Sequence, residues 1–216
     1  MRIQRALCVV LVGASLQLAC GAEASAAQTT LEFSNNKVKV TREVLAAGAR
    51  EPMALGHPSV VVYMEGSSAE IDLANGTKRH VEIARGKTGE EPAETGTLVN
   101  DSANRLVLVR VEFLTGGSDV MWGASGLAPN YKVLLEDRYS RTYDIRMAAH
   151  GSEPEHTHHD RVVVCLSGAR LVHVLPDGSR QPSTLKTDEI GWRVAQTHEG
   201  HNLGDTDLWV IAIEPK

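Results

Sequence analysis

Short apolar runs rich in β-branched residues punctuate this chain at positions 60–64, 106–113, 162–166 and 208–213. Runs of that length and composition predict buried β-strands. Asn75-Gly76 and Asp177-Gly178 fall between strand-like segments. Both dipeptides favour tight hairpin turns, because their residues tolerate positive φ. No stretch beyond residue 26 sustains a 3.6-residue apolar period over a dozen positions, so the pattern predicts an all-β fold.

The pattern also repeats. Shifted by 102 positions, residues 39–113 align without a gap on residues 141–215, with 17 identities in 75 pairs. Ala46-Ala47 meets Ala148-Ala149, Glu51-Pro52 meets Glu153-Pro154, and three consecutive valines before Gly66 meet three before Gly168. Gly76, Gly89, Asn100 and Glu112 meet Gly178, Gly191, Asn202 and Glu214. Glycine and proline carry backbone geometry, so identities concentrated there point to two copies of one fold. We expect residues 29–114 to form an N-terminal copy, 115–128 a linker and 129–216 a C-terminal copy. Met121 and Trp122 in the linker are expected to pack on one of the copies.

Residues 1–26 stand apart. A basic start, Met1-Arg2-Ile3-Gln4-Arg5, precedes an apolar run over 6–19 and the small residues Ala24-Ser25-Ala26. That order predicts a secretory signal peptide cleaved after Ala26, and hence export to the periplasm or medium. The run is too short for a membrane span, which needs roughly 20 apolar residues. Cys20 offers the alternative of a lipid anchor. Cleavage removes Cys8 and Cys20 and leaves Cys165, which excludes an internal disulfide. Cys165 lies mid-run and is expected to be a buried, inert thiol. The formal charge of −5, with no basic patch, argues against nucleic-acid binding.

Candidate chemistry lies in the C-terminal copy. His156-Thr157-His158-His159 is followed, after another turn-rich stretch, by His198-Glu199-Gly200-His201-Asn202. His-x-His on a strand turns two imidazoles to one face, and imidazole is the commonest metal ligand. A third histidine from a neighbouring strand would complete a three-nitrogen site. The 102-residue offset places Ala54, Gly56 and Gly96 opposite His156, His158 and His198, so the N-terminal copy has no equivalent site. His57 survives there alone and is expected at the surface. His150 and His173 are expected in exposed or hairpin positions. His201 reads either as a second-shell residue or as a surface one, and Trp192 either as pocket wall or as core. Asn100 and Asn202 are expected to serve turns.

Gly151, His156-x-His158 and Gly168, then Gly191 and His198-x-x-x-Asn202, resemble the two sequence motifs of the cupin superfamily. The resemblance spans nearly the whole chain beyond residue 26. It implies two tandem jelly-roll barrels, a bicupin, with His156, His158 and His198 as ligands of one divalent metal ion. The family's ligating Glu is missing: Arg161 stands in its place, and the spacing is short enough that His159 could substitute for one of the pair. Asp160 could add an oxygen if the strand is regular there. Three neutral imidazoles leave a divalent ion its full double charge, which favours a small anionic ligand, the more so if Arg161 faces the pocket. The resemblance thus implies either a dioxygenase-like enzyme using Fe, Zn or Mn on a small organic acid, or a non-catalytic binder of a small ligand or metal. Homo-oligomer formation is left open.

Overall fold

A computed structural model describes residues 26–216; residues 1–25, on which the expected signal peptide and Cys8 and Cys20 fall, lie outside the described residues. Among the described residues there is no α-helix, and no helix is long and apolar enough to cross a membrane. The first half consists of β1 (Ala27–Ser34), β2 (Val38–Leu45), β3 (Arg50–Ala54), β4 (Ser59–Glu65), β5 (Ser68–Leu73), β6 (Lys78–Glu82), β7 (Thr88–Glu91), β8 (Thr95–Val99) and β9 (Leu106–Phe113). The second consists of β10 (Tyr131–Glu136), β11 (Ser140–Met147), β12 (Ser152–His158), β13 (Arg161–Ser167), β14 (Ala169–Val174), β15 (Arg180–Leu185), β16 (Ile190–Arg193), β17 (Gln196–Asn202) and β18 (Leu208–Pro215).

The two halves share one topology. A five-stranded sheet runs β1-β2-β9-β4-β7 in the first and β10-β11-β18-β13-β16 in the second. The facing four-stranded sheets run β3-β8-β5-β6 and β12-β17-β14-β15. Adding nine to each strand number converts one half into the other, and adding 102 to the bounds of β2, β4, β7 and β9 reproduces those of β11, β13, β16 and β18. Two facing antiparallel sheets in this arrangement make a jelly roll.

The unbroken apolar runs follow from how the halves pack. Val60, Val62 and Met64 on β4 share one core with Val162, Val164 and Leu166 on β13 and with Ile211 and Ile213 on β18. The intervening residues face the other way: Val61 and Tyr63 fill the N-terminal interior, Val163 and Cys165 the C-terminal one. A strand buried on both faces loses the usual apolar-polar alternation. Each such buried side chain contributes roughly 1.5–3 kcal/mol, so separating the halves would be costly.

The turns obey local chemistry. Gly76 and Gly178 close the β5–β6 and β14–β15 hairpins at φ 85° and 80°. Asn100 and Asn202 each bridge a loop: the Asn100 amide donates to the carbonyls of Ala46 and Asn104, that of Asn202 to Ala148 and Thr206. Between β9 and β10 the chain has no strand and leans on the second half. The Trp122 and Gly123 amides donate to Glu136, and Arg141 donates to the carbonyls of Gly123 and Ser125. Trp122 packs as expected, but Met121 is 60% exposed, because that turn points it outward.

Candidate metal centre

β12 and β17 lie side by side, and His156 pairs directly with His198 across them. His158, two residues on, falls on the same face. All three side chains are buried, and a nitrogen from each lies within 4.8 Å of the others. The strand arithmetic of His-x-His plus a neighbouring histidine therefore holds as geometry.

One local irregularity adds a residue that alternation hides. Glu153 and His156 are three apart, which on a regular strand puts them on opposite faces. A β-bulge interrupts the β12–β17 register between them, after Glu153↔Gly200 and before His156↔His198. The extra residue resets the phase, so Glu153, His156 and His158 all point inward. Gly200 makes the room: a Cβ there would come within 2.3 Å of Glu153 Oε1. In the first half β3 pairs with β8 without a bulge, and Glu51 is only half-buried. The bulge is not legible from composition, although Gly200 opposite a buried acid is its trace.

Hydrogen bonds fix the ring tautomers. Tyr143 is a neutral phenol, since burial and then Glu214 raise its pKa well above the ordinary value. Its single proton goes to Glu214 Oε1 at 2.9 Å, so the same oxygen accepts from His158 Nδ1 at 2.9 Å. Glu214 is itself held by buried Arg141 and by the His159 amide. His156 Nδ1 lies 2.8 Å from the Pro154 carbonyl, an acceptor, so that nitrogen carries the proton. His158 Nε2 is then bare, and His156 Nε2 lies 2.9 Å from it. Two ring nitrogens that close are held together by a proton or a cation between them. Two nitrogens bound at right angles to one ion, each ~2.0–2.1 Å away, are themselves about 2.9 Å apart. His198 Nδ1 is buried without a hydrogen-bond partner, which also suits a ligand. The donor set therefore fits a divalent ion.

The surroundings hold the His158 and His198 rings neutral. Burial, then the Arg161 charge, depresses His158 far below the usual imidazole range. Burial, then His173, pushes His198 down to about 3. Tyr131 donates to Glu153 Oε1 at 2.9 Å and lies 3.1 Å from His156 Nε2. Burial, then Glu153, keeps it a neutral phenol. A cavity of about 280 Å³ opens beside the rings, lined by His158, His198, Tyr131, Glu153 and Arg161 together with aliphatic side chains.

Several expected residues sit elsewhere. His159 points away from the cluster because it is out of phase with His158; it is exposed and stacks on Trp122 at 4.2 Å. Asp160 accepts from Lys37 and the Ala195 amide. His201 faces outward, 3.8 Å from Glu199, so it does not orient a ligand. His173 meets the hairpin alternative of its expectation and not the exposed one. It does lie on a hairpin strand, but its ring stacks on His198 at 4.2 Å and lines the cavity, and burial pushes its pKa down to about 4. Trp192 packs against the core shared by the halves. Arg161 is buried and faces the cavity. Tyr131 and Tyr143 carried no motif; only their place on β10 and β11 brings them under the rings.

The sequence matches no family model and no curated protein. Solved structures do match. AerE from Microcystis aeruginosa aligns over 90% of this chain and 95% of its own, with a TM-score of 0.65 and 11% identity. The cupin 2 conserved barrel domain protein from Leptotrichia buccalis covers 90% and 91%, with a TM-score of 0.57 and 14% identity. This chain has the cupin fold. Oxalate decarboxylase from Bacillus subtilis extends the likeness, at a TM-score of 0.61 and 13% identity over 87% of this chain and 71% of that one. Within this bicupin only the second barrel brings the histidines together. In the first, a Cβ on Gly96 would come within 2.6 Å of the Asp72 carbonyl, so no ligand could replace it without moving backbone. Its interior holds instead a buried Arg110 paired with Glu43 and Glu91.

Proposed function

We propose that the second barrel is a mononuclear metal centre, with Fe, Zn or Mn held by His156, His158 and His198, acting as a dioxygenase-like enzyme on a small anionic organic molecule. The observation that carries the reading is the convergence of three buried imidazole nitrogens within 4.8 Å of one another, two of them 2.9 Å apart. When bound, such an ion supplies Lewis acidity and, for Fe or Mn, one-electron redox capacity. The protein's own contribution is positioning. Glu214 and Tyr143 hold the His158 tautomer, and Pro154 holds that of His156. Tyr131 and Glu153 place a phenol oxygen and a carboxylate beside His156 Nε2. The aliphatic cavity wall limits water, and Arg161 supplies a positive charge for an anionic ligand. The reading includes export, which rests on the character of residues 1–26.

Elemental analysis of the purified protein tests the site: one equivalent of metal is expected, and His198→Ala should lose it. Unchanged metal content in that variant would sink the assignment. Oxygen uptake with Fe(II) and a panel of organic acids tests turnover, and His156→Ala should abolish it. A non-catalytic metal or ligand binder is the second reading, favoured by the lack of a carboxylate within the three-nitrogen group. It predicts metal binding with no oxygen uptake on any acid.

A further inference from the structure

Arg161 is 7% exposed, yet no carboxylate of the described residues lies within ion-pair distance of it. Its contacts are two long ones, from Nη1 to the carbonyls of His159 and Val194, each at 3.3 Å. The other fully buried arginines are compensated: Arg110 by Glu43 and Glu91, Arg141 by Glu214. A buried cation without an anion is strongly unfavourable. The guanidinium faces the cavity, so the missing anion belongs to what enters there.

The rest of the cavity says what that anion is attached to. Ile145, Met147, Val163, Leu171, Leu208 and Val210 form an aliphatic wall with no hydrogen-bonding side chain. Exposed Gln181, Pro182 and Val194 mark where it meets solvent. At ~30 Å³ per water-sized group, about 280 Å³ accommodates roughly nine or ten heavy atoms. A two-carbon dianion would leave most of that wall uncovered.

We infer that the ligand is a monocarboxylate with an aliphatic or aromatic tail of about six or seven carbons, its carboxylate on Arg161 and its tail against the aliphatic wall. The inference rests on the reading of the second barrel as a site for a small anionic molecule. Arg161 is then a specificity residue occupying the position where the family's motif has a metal ligand.

Calorimetric titration of the purified full chain with butyrate, hexanoate, octanoate, octanol and oxalate tests it, with metal content measured on the same samples. From butyrate to octanoate, affinity should rise roughly four-fold per methylene. Arg161→Met should weaken octanoate roughly 10- to 100-fold and leave octanol unchanged, because only the charge-assisted contact is lost. The chain-length series on the unmodified protein needs no variant to fold. Oxalate binding more tightly than octanoate, or no gain with chain length, overturns the inference. If metal is then still bound at one equivalent, the metal centre stands and only the ligand class fails. Octanoate binding with the expected series to protein that retains no metal supports the ligand class and overturns the metal centre.

Discussion

Tyr143→Phe separates metal-ligand positioning from packing. The ring lies on β11, stacked beside Tyr131 at 5.7 Å and His158 at 6.1 Å, and phenylalanine preserves both contacts. Only the hydroxyl between Glu214 and His158 disappears. His158 Nδ1–H then loses its acceptor in a buried site, while Glu214 keeps Arg141 and the His159 amide. An unpartnered buried donor costs about 1–3 kcal/mol, so urea unfolding of the metal-free protein should show a loss of that size. The same hydroxyl fixes which His158 nitrogen is bare, and orienting partners of this kind are worth roughly 10- to 100-fold in metal affinity. Competition titration of Zn²⁺ or Co²⁺ against a chromophoric chelator measures it. A stability loss without any change in metal affinity would refute the tautomer argument and leave Tyr143 a packing residue.

Gly200→Ala drives a Cβ into the Glu153 carboxylate, so Tyr131 loses its acceptor; we expect a stability loss of about 1–3 kcal/mol by urea unfolding. Arg110→Ala leaves buried Glu43 without its partner and Glu91 with only Arg79 at 3.9 Å, and should cost about 3–5 kcal/mol, whereas metal content in the second barrel should be unchanged by elemental analysis. Cys165 is fully buried and its thiol is pushed up to about 11 by burial, so a chromogenic thiol reagent at pH 8 should leave this one thiol unreacted until denaturant is added.

The chain's own pattern determined a good deal. Doubly buried strands need unbroken apolar runs, and a repeated backbone needs glycines and turn residues at repeated places; both requirements are written locally and survive in a single sequence. His156, His158 and His198 were legible for the same reason, since strand alternation and two motif glycines suffice to aim them. What escaped depends on phase and on distant neighbours. Glu153 reaches the site only because a bulge resets β12, and a bulge is one extra residue with no compositional signature beyond Gly200. Tyr131, Tyr143 and His173 are brought in by β10, β11 and β14, whose sequences give no hint that their side chains converge on His156, His158 and His198. His159 was open as a substitute ligand, and His201 as a residue orienting one, until strand phase turned both outward. Arg161 was visible as a departure from a motif, but its meaning is tertiary: only the folded barrel shows a buried guanidinium facing a cavity with no carboxylate beside it. Local sequence specified the strands and the donors, while the packing of β10, β11 and β14 against the bulged strand decided which polar groups surround them.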